Sequence, residues 1–440
     1  MASARIIGGI VACVAVAGAI AATAVVWRPA IAAIEPPGPQ SFDGARVKRG
    51  RDLAAIGNCN DCHTQRGGKD FAGGLPVPTP FGTIYSSNIT PDAETGIGKW
   101  SEAAFRRAMQ SGVNRDGQHL YPTFPYDHFT HVSDDDDSAL YAYLMTQRPV
   151  RALARANDLK FPFNQRVAVA GWKLLFLRHG SYQPDSARSA EWNRGAYLVE
   201  GLAHCGACHT PRNGLGAEKT QASFAGGDVD NWHAYAINSQ SPAPVPWDAE
   251  ALFQYLRHGW HPDHGVARGP MAEVVSNLAE VPESDVRAIA TYMASVFGPP
   301  TEERKLRGDE VLARASSKPV QPANGGTTTG AKLYVAACAP CHATDRAPPF
   351  GGINLALSTA LTSPDARNAA NIVLSGIRPT AGERSPIMPD FADSMTDSQI
   401  ADVLDYLRTR FGNQPPWTNT ADIVRDARRT HTVLLQRDQP

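Results

Sequence analysis

Cys59-Asn60-Asp61-Cys62-His63 recurs as Cys205-Gly206-Ala207-Cys208-His209 and again as Cys338-Ala339-Pro340-Cys341-His342. A Cys-x-x-Cys-His triplet is the attachment signature of c-type haem. Two thiols separated by two residues reach the two vinyl groups on one porphyrin edge. The next residue then sets an imidazole under the iron as proximal ligand. The triplets take every cysteine but Cys13 in a chain with only 7 Cys and 13 His, which rules out coincidence. Structural zinc needs two further ligands per site, and no paired cysteines are left over. A thiol–disulfide motif belongs beside a βαβ pattern, which the sequence lacks. Structural disulfides would not account for a His after each pair. The cofactor expected is therefore three covalently bound haem c, with Cys59, Cys62, Cys205, Cys208, Cys338 and Cys341 as attachment points and His63, His209 and His342 as proximal ligands.

Repetition extends outward from each triplet. Gly50-Arg51-Asp52-Leu53, Gly195-Ala196-Tyr197-Leu198 and Gly330-Ala331-Lys332-Leu333 open an amphipathic segment eight to ten residues ahead of the first Cys. Phe71-Ala72-Gly73-Gly74, Phe224-Ala225-Gly226-Gly227 and Phe350-Gly351-Gly352 follow as stops. Each unit closes on a second helix, whose apolar residues recur at helical spacing: Leu140, Tyr143 and Leu144; Ile289, Tyr292 and Met293; Val403, Tyr406 and Leu407. Ser133 is placed to cap the first of these, and Thr396 with Gln399 forms a capping box on the third. The acidic run Asp134–Asp137 reads as carboxylates favoured by a helix N-terminus rather than as a metal cluster.

The expected fold class is all-α: three tandem cytochrome c-like domains, each a small helical fold around a covalent haem, after an N-terminal apolar helix. The expected boundaries are 1–33 for a signal or anchor helix, then domains at 41–150, 186–298 and 323–413. Linkers occupy 151–185 and 299–322, and a tail 414–440. A length of 440 residues fits three domains of ordinary size. With 42% hydrophobic and 19% charged residues the composition is that of a globular chain, which excludes disorder and a polytopic membrane protein. Lys+Arg 42 against Asp+Glu 43 leaves a net charge of -1, which offers nucleic acid no electrostatic footprint.

Ile6–Trp27 is an apolar stretch between Arg5 and Arg28. It exceeds the apolar core of a secretory signal and matches the roughly 20 residues that span a bilayer. An uncleaved anchor with its N-terminus inside is the preferred reading, a cleavage site near Ala30–Ala33 the alternative. Either directs the chain to the periplasmic face of the bacterial inner membrane, where c-type haem is attached. Lys160–Leu177, rich in Phe, Trp and Leu but broken by Pro162 and Asn164, is too polar to span. Packing between domains is its first reading, and a face for membrane or partner its second.

The sixth iron ligand separates the three sites. A Met thioether opposite His raises the reduction potential and closes the iron to outside ligands. Gly269-Pro270-Met271 and Ile387-Met388-Pro389 offer Met beside Pro at the expected place in the second and third units. The first unit instead reads Leu120-Tyr121-Pro122-Thr123-Phe124-Pro125-Tyr126-Asp127-His128, with Phe where Met is expected. His128 is the first candidate there, His119 the second, and an unligated position the third reading. Two His ligands would give this haem the lowest potential of the three.

The whole pattern resembles the three-haem cytochrome c subunits of membrane-bound bacterial dehydrogenases. The likeness rests on the three triplets, on Thr79-Pro80-Phe81-Gly82-Thr83-Ile84-Tyr85-Ser86-Ser87-Asn88-Ile89-Thr90-Pro91-Asp92, on Thr95-Gly96-Ile97-Gly98 and Arg115-Asp116-Gly117, and on Ala139-Leu140-Tyr141-Ala142-Tyr143-Leu144. Relatives that oxidise alcohol or gluconate keep a Met where Phe124 stands. The Phe124–Phe129 variant resembles instead the cytochrome partners of molybdenum hydroxylases that oxidise nicotinate, isoquinoline or aldehydes. The resemblance implies an electron-transfer subunit rather than the catalytic chain. Its donor would be a dehydrogenase with molybdopterin and iron–sulfur subunits, and its acceptor ubiquinone or a terminal oxidase. Service to a quinoprotein or flavoprotein dehydrogenase is the alternative. A haem peroxidase, with the first iron open, is the reading from another class.

Overall fold

The computed structural model describes residues 26–316, 327–344, 346–378 and 385–437, with side chains as far as 430. The expected N-terminal helix lies outside the described residues except for its end at Val26 and Trp27, as does 317–322 of the second linker. Among the described residues no helix is long and apolar enough to cross a membrane.

The fold is predominantly helical, built on the same crossing three times. Helix Gly44–Ile56 crosses Asp134–Met145, Ala190–Tyr197 crosses Glu283–Phe297, and Thr329–Leu333 crosses Asp397–Arg410. Each leading helix starts on a side-chain cap. Asp43 accepts from the Arg46 amide, Ser189 from Trp192 and Thr328 from Ala331. On the closing helices, Ser133 accepts from the Asp136 amide, and Thr396 and Gln399 complete the expected capping box. The crossings need glycine. A Cβ on Gly50 would lie 1.9 Å from the Ala139 carbonyl oxygen, one on Gly195 1.9 Å from that of Ala288, and one on Gly330 2.1 Å from that of Asp402. Tyr143, Tyr292 and Tyr406, one turn further along, complete the same seat three times over. Absence of a side chain at one position lets backbone meet backbone.

The chain divides into two compact units, 1–183 and 184–440. In the first, residues past the apolar stretch strap the folded body. The Pro29 carbonyl accepts from Arg107 (2.7 Å), and the Ile31 amide donates to the Arg115 carbonyl (2.8 Å). The segment 151–185, expected as a linker, adds strand Asp158–Leu159 to the hairpin Pro76–Thr79/Gly82–Tyr85 and forms helix Arg166–Phe176.

The second unit holds the second and third repeats together. Hairpin Gly227–Val229/Trp232–Ala234 is tied to helix Arg367–Ser375 by amide side chains. Asn368 accepts from the His233 amide (2.9 Å) and donates to its carbonyl (2.8 Å), as a neighbouring strand would; Asn371 donates to the Asn231 carbonyl (2.9 Å). The segments expected as the second linker and the tail also carry helices. The linker 299–322 contains helix Glu302–Ser316, whose Arg304 donates to the Ser239 and Ser241 carbonyls (both 2.8 Å). The tail 414–440 contains helix Thr420–Arg437, which buries Val424 and Ala427 in the core with Leu374, Ile400 and Leu404. In both cases long-range packing orders a segment that shows no motif of its own.

Candidate haem sites

Each Cys-x-x-Cys-His triplet lies on a short helical turn: Cys59–His63, Gly206–His209 with Cys205 as its cap, and Ala339–His342 with Cys338 as its cap. In the second and third repeats a π-helical turn, Leu198–Leu202 or Tyr334–Cys338, joins that turn to the leading helix. In the first, Asn58 does so in the left-handed region at φ 51°. The six cysteines form no disulfide. Burial pushes the Cys59 and Cys205 thiols up to about 12 and the Cys338 thiol up to about 11.

The three imidazoles share one geometry. Nδ1 lies 2.7 Å from the Ser87 carbonyl oxygen in His63, 2.7 Å from that of Tyr235 in His209, and 2.9 Å from that of Ile353 in His342. A carbonyl only accepts, so Nδ1 carries the hydrogen and the lone pair sits on Nε2. Burial lowers the pKa of all three rings, which keeps them neutral. Two thiols beside a neutral imidazole with its ligating nitrogen fixed is the donor set that covalent haem c requires.

The loops that carry these carbonyls also repeat. Phe71 and Phe224 both take the left-handed conformation, at φ 60° and 59°. The amide of Phe71 donates to the Thr64 hydroxyl (3.0 Å), that of Phe224 to Thr210 (3.1 Å). Their carbonyls accept from Ile89 and Ile237, both at 2.9 Å. This strained turn sends the chain back beside the imidazole. Thr210 thus shapes the loop, and Arg212 donates to the Gly216 and Ala207 carbonyls. In the third repeat Gly352, the counterpart of Gly73 and Gly226, lies against the proximal imidazole: a Cβ there would meet the His342 ring at 2.6 Å.

The sixth-ligand candidates sit in three settings. Met271, half-buried, is in the first turn of helix Pro270–Leu278, behind a Gly269 whose φ of 59° and closeness to the Trp232 ring exclude a side chain. Met388, also half-buried, pairs with Ile377 in an antiparallel bridge. Arg268 links these two loops by donating to the Gly376 carbonyl at 2.6 Å. In the first unit His128 is buried on the turn Tyr126–Phe129, close to the Phe124–Phe129 ring pair. His119 is committed at both nitrogens: Nε2 donates to the Val26 carbonyl (3.0 Å), and Nδ1 accepts from the Lys173 ammonium (3.1 Å). His131 donates from Nδ1 to the Gly180 carbonyl at 2.7 Å.

Comparison with known proteins agrees with this chemistry. A cytochrome c family model matches residues 47–148, and one for the third subunit of cbb3-type cytochrome c oxidase matches 325–407. The fructose dehydrogenase cytochrome subunit of Gluconobacter japonicus is 38% identical over 412 residues, which cover 89% of this chain and 84% of that one. The chain belongs to the cytochrome c subunits of bacterial dehydrogenases. The gluconate 2-dehydrogenase cytochrome c subunit of Pantoea cypripedii is 37% identical over 411 residues, covering 88% and 91%. A nicotinate dehydrogenase subunit of Pseudomonas putida is 50% identical over 404 residues. Those residues are 91% of this chain but 33% of that protein, so the chain spans about a third of its length. Cytochrome c domains of this family carry covalent haem c.

Proposed function

We propose that the chain binds three haem c groups, at Cys59/Cys62/His63, Cys205/Cys208/His209 and Cys338/Cys341/His342, and relays electrons from a partner dehydrogenase to ubiquinone or a terminal oxidase. Haem iron, cycling between ferric and ferrous states, carries one electron at a time. The protein's part is to hold and tune it. One observation carries the reading: each triplet's imidazole is locked by the same Nδ1–carbonyl bond, at 2.7, 2.7 and 2.9 Å. Three sites so alike are built for one task. Met271 and Met388 complete the second and third sites, and His128 the first. His119 is spoken for by Val26 and Lys173.

The proposed donor is a molybdenum hydroxylase with molybdopterin and iron–sulfur subunits. The Phe124–Phe129 segment supports this, as does the 50% identity to a protein named for nicotinate oxidation. The proposed place of work is the periplasmic face of the inner membrane, to which the apolar stretch Ile6–Trp27 directs the chain. The domains proposed remain the three repeats, the second and third sharing one compact unit.

Purification from a maturation-competent host in mild detergent tests both parts. A pyridine haemochrome count of three per chain, falling by one third when Cys59 and Cys62, Cys205 and Cys208, or Cys338 and Cys341 become Ser, is expected. A count below three overturns the relay. A co-purifying dehydrogenase without molybdopterin overturns the donor.

A further inference from the structure

Helix Arg166–Phe176 is amphipathic the wrong way round for a soluble protein. Val169, Ala170 and Lys173 are buried, while Val167, Ala168, Gly171, Leu174 and Leu175 form one continuous outer face. Val167, Leu174 and Leu175 are 55%, 63% and 58% exposed. The helix's buried cation is fully engaged: Lys173 Nζ donates to the Ser111 carbonyl (2.7 Å), the Gly112 carbonyl (2.6 Å) and His119 Nδ1 (3.1 Å). These bonds fix the helix's rotation and hold its apolar face outward, where in water it loses burial free energy.

Resting on the reading that the chain works at a membrane, we propose that this face lies on the surface of an anionic phospholipid bilayer, as a contact separate from the N-terminal stretch. Two observations select lipid as the occupant. From residue 160 to 183 the chain exposes Lys160 before the helix and Arg178 after it, has Arg166 half-buried in its first turn, and carries no carboxylate. Cations at both ends of an apolar helix face complement anionic headgroups, the composition of a helix lying in the membrane interface. The second observation is continuity. The apolar stretch Ile6–Trp27 enters the folded unit at Val26, whose carbonyl is held by the same His119 ring that accepts from Lys173. Trp27 is 65% exposed there. The bilayer-directed stretch and the outward helix thus meet through one imidazole, and one apolar contact alone gives only marginal membrane binding.

The test uses the full haem-loaded chain in liposomes of phosphatidylcholine with about one-third phosphatidylglycerol, doped with a phospholipid bearing a photoactivatable acyl chain. Adducts are located by peptide mass spectrometry. The expected result is labelling of both the N-terminal segment and the peptide containing 167–175. In the double variant Leu174→Glu, Leu175→Glu, labelling of the second peptide falls about tenfold, with the N-terminal adducts and the haem absorbance unchanged. Replacing phosphatidylglycerol by phosphatidylcholine weakens it in the same direction. Labelling confined to the N-terminal segment overturns the proposal and leaves the membrane reading standing. So does protection of 167–175 by a co-purified protein partner in the absence of lipid. No adducts anywhere defeat both.

Discussion

His209 donates from Nδ1 to the carbonyl oxygen of Tyr235, 2.7 Å away. Tyr235 follows strand Trp232–Ala234, and that strand's outer edge is satisfied by Asn368 from the third repeat. An amide side chain in one repeat therefore steadies the carbonyl that orients the proposed iron ligand of another. Outer-sphere partners of this kind set ligand orientation and basicity.

Asn368→Leu tests the link. It removes both bonds to His233 and leaves a half-buried backbone amide and carbonyl without partners, at a cost of about 1–3 kcal/mol. Urea denaturation is expected to show that loss in the unit 184–440. Potentiometry is expected to shift the second haem and leave the first unchanged.

The glycine crossings make a second prediction. Gly195→Ala drives a Cβ to within 1.9 Å of the Ala288 carbonyl oxygen, and neither backbone can yield without separating the helices. Overpacking of this kind costs about 1–3 kcal/mol or more. Thermal melting is expected to show the same penalty for Gly50→Ala and Gly330→Ala, whereas Gly171→Ala, where a Cβ meets nothing within 4 Å, is expected to be neutral or better.

Axial ligation makes a third. Redox titration is expected to resolve one low-potential haem, assigned to the first repeat, and two higher ones. Met271→His and Met388→His each lower one of the higher potentials, because imidazole favours ferric iron more than thioether does. His128→Met raises the lowest. Three equal potentials in the unaltered protein would contradict the assignment of His128.

The buried carboxyl of Asp137 makes a fourth. It accepts from Gln110 Nε2 at 2.8 Å, but burial dominates and raises its pKa to about 8. Below about pH 4 the group is protonated in folded and unfolded chains alike. Between there and pH 8 the unfolded chain releases a proton that the folded one keeps, so stability falls as pH rises. Asp137→Asn is expected to flatten that slope and raise the melting temperature more at about pH 8 than at about pH 5.

Sequence alone determined the haem chemistry expected and the two helices that flank each triplet, because the motif and the helical spacing are both local. Cys59-Asn60-Asp61-Cys62-His63 places two thiols and an imidazole within five residues, and Gly50, Gly195 and Gly330 mark the positions where the helices meet. The acidic run was half legible. Its carboxylates lie in the first turn of a helix capped by Ser133, as expected, but the burial of Asp136 and Asp137 there comes from packing that no local pattern shows. Other features depend on residues far apart in the chain, which no spacing reveals. Tertiary contacts with Val26 and Lys173 commit His119 at both nitrogens. The bonds of Lys173 to Ser111 and Gly112 turn the apolar face of helix Arg166–Phe176 outward. Asn368 and Asn371 join two repeats that read as separate domains. A buried polar group must find partners wherever the fold supplies them, so such pairings are settled only once the chain has packed.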